Sequence, residues 1–394
     1  MRYYLLIIWL LIQSAFAQQN DLIKYVDSLL ATHPAILSSY LSSEAIQLSS
    51  KAVTPLSISP FYSHEEWGNG AQGIVSYGIR TGDINPWEWK AEKDFLKTQS
   101  QTAGLNLQIT KASLLRDILT LYARWSISKE RLAKWSELKH YLDSLYLIAS
   151  RSYQIGQIDI IQLKELEIQI QQTKSRIINI EQQAEGLKQS LKTILKTDSL
   201  PVFSNSQLPE PDSTLSQSNP LLQQQRIKAY LQALELKRRT ASFMPSLFAG
   251  YSLQTIEGTA GFKAIEIGIS IPLNAPGALK QQKAYKKQLE ASQTATEAFS
   301  ISLNTQIQQL YAQWQATSHA IALYTTHINQ ATQKLMETYQ SQLRAGAISP
   351  MEFIISYRNI VNLNDEFFTL REQEATLRIQ LLFLTGKLTK LIEK

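Results

Sequence analysis

Nothing constrains this chain more than where proline is missing. Residues 87–200 and 277–349 contain none, and from 278 to 345 there is no glycine either. Gln, Lys, Leu, Ala and Ser fill both stretches. Such runs form long α-helices, because nothing in them removes a backbone donor or relaxes the chain. Between them, "DSLPVFSNSQLPEPDSTLSQSNP" at 198–220 holds four prolines and many serines, the mark of a linker.

The punctuation recurs at a fixed distance. Gly78 and Gly268, Pro86 and Pro276, Gly156 and Gly346, and Pro55 and Pro245 all stand 190 apart. Lys90, Lys93 and Lys97 repeat as Lys280, Lys283 and Lys287, while Pro34 in "THPAI" and Pro220 in "SNPLL" are 186 apart. A period this long is a duplication of a whole unit, not a solenoid. One echo breaks the rule. "LYARW" at 121–125 returns as "LYAQW" at 310–314, an offset of 189. Either a local bulge absorbs one residue or the echo is partly chance.

Each unit reads helix, strand, strand, long helix, turn, helix. The first helices are expected at about 20–53 and 220–243. "FKAIEIGISIPL" (262–273) sets Ile265, Ile267, Ile269 and Ile271 on one face against Glu266, Gly268 and Ser270 on the other. "SLFAGYSLQTIEG" alternates likewise, and "LSISPFYSHEE" and "GIVSYGIRTG" are weaker first-half equivalents. The strands are expected within about 56–82 and 246–273. Long helices follow, with Pro86 and Pro276 in their first turns and Asn85 as a cap. In the second, Phe299, Leu303, Ile307, Leu310, Trp314, Ile321, Tyr324, Ile328, Ala331 and Leu335 step by threes and fours like a coiled-coil seam. In the first, Leu114, Ile118, Leu121, Trp125, Leu132, Trp135, Leu142 and Leu145 do the same. Gly156 and Gly346 close these helices, and the chain returns through second helices that start at Asp159 and at Ser349–Pro350. The domain plan is thus 18–197, linker 198–219, and 220–394. The hairpins occupy about 86–197 and 276–390, with tips near 156 and 346.

Four alternating strands cannot close a barrel alone, and an open edge cannot sit in lipid. Barrels in outer membranes have at least eight strands. Three copies would supply twelve. The expected fold class is mainly α with a small β part: a trimeric transmembrane β-barrel, four strands per protomer, continued by a periplasmic α-helical barrel roughly 100 Å long. A leader fits this plan. "MRYYLLIIWLLIQSAFAQQN" has the charged start, short apolar core and small-x-small site of a signal peptide, with cleavage expected after Ala17. No later segment offers the roughly 18 uninterrupted apolar residues of a membrane helix.

"HPAI" and "NPLL", "MPSLFAGYS", "IGISIPL" and the turns "YQIGQIDIIQL" and "LRAGAISPMEF", in this order and spacing, resemble the TolC-type outer-membrane efflux proteins. The resemblance covers essentially the whole mature chain. It implies a homotrimer that forms the exit duct of a tripartite system, with a periplasmic adaptor at the helical tips and an inner-membrane pump of the RND type supplying energy. Small molecules or metal cations would pass, and lipid of the outer membrane would surround the barrel. A type I protein-secretion duct would use the same architecture. A periplasmic coiled-coil scaffold would explain the helices but not the strands.

The resemblance places adaptor docking at Ile155, Gly156, Gln157 and Ile158 and at Ala345, Gly346, Ala347 and Ile348. Where family tips carry paired acids, this chain has Glu352 and Asp159, candidates for a pore constriction. Either could instead serve its own helix N-terminus. Trp67, Tyr77, Trp87 and Trp89 fall near strand ends, as an interfacial aromatic girdle would, or pack between protomers. The sequence holds no nucleotide loop, no nucleophile elbow and no cysteine. Its five histidines include no i, i+4 pair, and its charge of +6 is dispersed, so neither a cofactor, a metal centre, an enzyme nor a nucleic-acid partner is expected.

Overall fold

The computed structural model describes residues 33–54, 57–67, 71–197, 200, 208–272 and 275–388. The expected leader lies outside them. Helix α1 (Pro34–Ala52) leads into strands β1 (Ile58–Trp67) and β2 (Ala71–Thr81), long helix α2 (Pro86–Gln154) and return helix α3 (Ile160–Leu195). The second round runs α4 (Pro220–Ala241), β3 (Ser246–Ile256), β4 (Thr259–Ser270) and α5 (Ala275–Leu323). A π turn (Tyr324–Ile328), α6 (Asn329–Arg344) and α7 (Pro350–Leu384) complete it. The chain is mainly helical with one small sheet. None of its described helices is long and apolar enough to cross a membrane.

Two compact units emerge, and they do not follow the two halves of the sequence. One gathers 33–110 with 217–302, the other 111–216 with 303–394. Each unit therefore takes a matched piece from both copies of the repeat.

The first unit holds the sheet, antiparallel throughout in the order β1-β2-β3-β4. The β3–β4 turn is two residues, Glu257 and Gly258, both with positive φ, as a type I′ hairpin requires. Asn85 caps α2 by accepting from the Glu88 N–H at 3.0 Å. Its amide also donates to the carbonyl of Ala241 at 2.8 Å, tying the start of α2 to the end of α4.

The second unit holds the helical hairpins. Trp135, Leu138, Leu142, Leu145 and Ala149 of α2 pack with Leu163, Leu166 and Ile170 of α3. Met336 of α6 and Phe353, Ile354, Tyr357 and Ile360 of α7 complete that core. The proline-rich segment is packed rather than slack where it is described. Leu208 is buried, Arg378 donates to the Pro209 carbonyl at 3.3 Å, and Lys387 pairs with Asp212 at 2.8 Å.

The π turn settles the odd echo. Helices α2 and α5 begin at Pro86 and Ala275, 189 residues apart, and Tyr122–Trp125 and Tyr311–Trp314 form matching ring pairs at 5.4 and 5.6 Å. The tips stand 190 apart. A π turn is a one-residue insertion into an α-helix. The one at Tyr324–Ile328, present in the second copy only, supplies the missing residue. LYARW and LYAQW are therefore true counterparts. The Pro86–Pro276 match is one residue out of step, with Pro86 first and Pro276 second in their helices. The seam is corrected too. Beyond Tyr324 it does not run through Ala331 and Leu335, and Leu335 is 45% exposed. It moves one residue on to Thr332, Met336, Tyr339 and Leu343.

Candidate functional site

The residues singled out in the sequence fall in two places, the sheet and the helical tips. On the sheet, period-2 alternation separates two faces. Rows read straight across all four strands. Pro60, Ile79, Tyr251 and Ile265 form one, and Tyr62, Tyr77, Leu253 and Lys263 another. This face points away from the unit's own core. Ile265 is 77% and Ile267 80% exposed, and Tyr62, Tyr77, Leu247 and Ile269 are exposed as well. The opposite face is mixed: Ser76, Ser246 and Ser252 are buried on it, and Phe61, Phe248 and Phe262 share it. Here the Phe248 ring lies over Gly268, where a Cβ would meet it at 2.2 Å, and Arg80 stacks on the same ring at 4.3 Å. Glu266 stands in the same row as Arg80. The two faces thus differ, one apolar and exposed and the other mixed, and β1 and β4 are the edges of the sheet.

The aromatic candidates divide. Tyr77 lies on the apolar face directly across from Tyr62, a partner the sequence reading missed because β1 alternates poorly around Pro60. Trp67 ends β1 opposite Ala71. Trp87 is exposed in the first turn of α2. Trp89 is tied inward, its Nε1 donating to the Val53 carbonyl at 3.2 Å, with Lys93 over its ring at 5.3 Å.

The two tips are near copies. Gly156 has φ +74 and Gly346 φ +70, the left-handed region where only glycine is unstrained. Gly156 N–H donates to Tyr153 O at 3.0 Å and Gln157 N–H to Ser152 O at 2.8 Å. Gly346 donates to Leu343 O and Ala347 to Gln342 O at the same two distances. This doubled closure ends the outgoing helix and satisfies carbonyls that would otherwise be orphaned. Ile155 is 68% exposed, Gln157, Ala345 and Ala347 are exposed, and Ile158 and Ile348 turn toward the core.

The candidate acids differ. Ser349 and Glu352 form a capping box. Ser349 Oγ accepts from the Glu352 N–H at 3.2 Å, and the Glu352 carboxylate accepts from the Ser349 N–H at 2.8 Å. Asp159 occupies the N-cap of α3 but makes no side-chain cap bond. A further acid escaped the sequence reading. Asp365 on α7 accepts from Arg131 Nε at 2.8 Å and Trp135 Nε1 at 3.1 Å, and pairs with Arg176. Burial alone would push its carboxyl up, but Arg131 and Arg176 outweigh that and hold it below the usual carboxylate range. The π turn is anchored beside it. Tyr324 donates to Glu366 at 2.7 Å and stacks on Phe367, and burial with that bond raises its hydroxyl to about 12. Among the described residues no cluster could hold a metal ion.

A scan of protein families and a search of curated proteins find no match to the sequence. Solved structures do match. The channel protein CusC superposes with a TM-score of 0.77 at 14% identity, over 93% of this chain and 92% of its own. The outer-membrane channel OprN gives 0.78 at 11%, over 94% and 91%. The outer-membrane protein VceC of Vibrio cholerae gives 0.72 at 14%, over 94% and 96%. The chain has the outer-membrane channel fold.

Proposed function

We propose that the chain is one protomer of an outer-membrane exit duct in a tripartite efflux system. The observation that carries this is the sheet. An isoleucine row exposed on β4, beside two unpaired edges, costs solubility unless lipid covers the face and other copies cover the edges. Three copies give twelve strands, and a barrel needs at least eight. From Lys263 to Ile271 the apolar face runs roughly 26 Å along the strand, close to the ~25 Å band of such barrels. Tyr62 and Tyr77 sit at one end of it, and Trp87, at the start of α2, belongs to the other rim.

In this reading the duct is passive, and the pump and adaptor set direction and energy. The adaptor meets Gly156 and Gly346 with Ile155, Gln157, Ala345 and Ala347, all exposed around two near-identical turns. Ile158 and Ile348 back them. Asp159 is the better constriction candidate. Three copies would place three carboxylates around a narrow path, attracting cations. Glu352 is engaged by its own helix.

The test is fractionation and export together. A heat-modifiable trimer should be recovered from the outer membrane, and a bulky residue at Ala347 should abolish export while leaving that trimer intact. Recovery as a soluble periplasmic monomer would overturn the reading.

A further inference from the structure

Where the sheet gives way to helices, exposed apolar residues are followed by a band of lysines. Trp87 in the first turn of α2, Met244 in the turn between α4 and β3, and Leu279 early in α5 all lie open. Cations come next. Lys90, Lys93 and Lys97 recur at steps of three and four and share one exposed face of α2, while Ala91, Thr98 and Thr102 on another face are buried. Lys237 of α4 joins them. It pairs with Asp94 at 3.2 Å, and Asp94 falls between Lys90 and Lys97 on α2.

Helix α5 carries the same stripe. In the register of 189 set by the matching ring pairs, Lys97 corresponds to Lys286, Asp94 to Lys283 and Lys90 to Leu279. The lysine matches at 190 are therefore out of step, yet the face is basic in both copies, with Lys283 and Lys286 exposed. Nearby acids are engaged elsewhere. Arg238 holds Glu92 at 2.9 Å and Lys287 holds Glu290 at 2.6 Å, while Glu88 lies in the first turn of α2, where the helix dipole favours it. Among the described residues no carboxylate pairs with Lys90, Lys97, Lys283 or Lys286.

The depth is right for a membrane border. Lys90 stands about 6 Å past Pro86 along the helix, and Lys237 about 6 Å before the end of α4. The headgroup layer on each side of a bilayer is roughly 5–7 Å thick, so these lysines are level with it. The farther ones extend their stems toward it and add to its field.

We propose that this band binds the anionic headgroups of phospholipids in the leaflet nearest the helices, with Trp87, Met244 and Leu279 seated among the upper acyl chains. This rests on the outer-membrane duct reading and adds the lipid chemistry that its rim selects. A phosphodiester with no compensating amine, as in phosphatidylglycerol, supplies the charge the lysines lack, whereas phosphatidylethanolamine is neutral overall. An acidic folded partner would match the lysines and leave the three apolar side chains beside them without a role.

The test is native mass spectrometry of the full-length detergent-solubilised trimer, titrated with phosphatidylglycerol or with phosphatidylethanolamine of the same acyl chains. The parent should bind phosphatidylglycerol more tightly. Lys90→Gln with Lys97→Gln should weaken that binding by roughly fivefold per lysine removed and leave phosphatidylethanolamine unaffected. Lys283→Gln with Lys286→Gln repeats the measurement on α5. Lys174→Gln with Lys188→Gln removes the same charge from α3 and should change nothing. A trimer with no preference, or equal weakening by the α2 and α3 pairs, would overturn this proposal and leave the duct reading standing. Displacement of the lipid by excess inorganic phosphate would overturn it too, by marking a site for free phosphate. A soluble monomer would overturn both.

Discussion

The two helical hairpins of this chain share a backbone plan and differ in almost every side chain that supports it. Both close on a left-handed glycine with the same pair of hydrogen bonds at the same distances. Only the second has a π turn before its tip and a capping box after it. The ion cluster is also unshared. Asp365 comes from the second hairpin, and Arg131, Trp135 and Arg176 come from the first. After duplication, backbone geometry that few residues can satisfy stays fixed, while register and charge drift until something compensates.

The largest effect should come from single-residue deletions. Removing Thr325 takes out the extra residue of the π turn and leaves a plain α-helix with the rest in phase. Heat stability and protease resistance of the hairpins should barely change. Removing Ser136 from α2, which has no bulge to give up, turns everything below it by about 100° and should dismantle the core around Leu142 and Leu145. Equal damage from both deletions would mean that the π turn is no insertion.

Next in size is the shared acid. Asp365→Ala leaves Arg131 half-desolvated without its partner and should cost roughly 3 kcal/mol, the low end for breaking a buried pair. Because its folded pKa is lowered, the contribution is complete above the unfolded value near 4 and is lost as pH falls through the folded value. Melting temperature followed from pH 6 to pH 2 should therefore drop more steeply in the parent than in Asp365→Asn. Parallel curves would remove Asp365 from the account.

The register shift makes a paired prediction. Met336→Ala should cost about 2 kcal/mol, whereas Leu335→Ala, on the exposed side, should stay within about 0.5. Urea midpoints of the two variants decide it, and the reverse order would put the seam back where unbroken helical spacing expects it.

That reversal also shows what the sequence could and could not disclose. Glycines, prolines and strict alternation are local requirements, so the tips, the long helices and the β4 face are legible from residues alone. A π turn is not, because Tyr-Thr-Thr-His-Ile carries no helix breaker and the inserted residue announces itself only as a mismatch between two offsets. Asp365 was hidden for a different reason. Its partners lie 189 to 234 residues away in the chain, and no spacing rule connects them. The mixed sheet face was half visible. Alternation sets Glu266 opposite the isoleucines, but only the register shows that Arg80 shares its row across Gly250.

The smallest effect separates the two return helices. Ser349→Ala removes the hydroxyl that accepts from the Glu352 N–H and loosens the reciprocal bond from Glu352, which should cost about 1 kcal/mol. Asp159→Ala removes a side chain that makes no cap bond, so only its interaction with the helix dipole is lost, about 0.3 kcal/mol. Hydrogen exchange at the first-turn amides reads the difference. Protection should fall at Glu352 and Phe353 in the first variant and hardly at all at Gln162 and Leu163 in the second. If Asp159→Ala leaves stability alone but changes cation conductance, the two acids have parted roles, with Glu352 holding its helix and Asp159 left to face what passes.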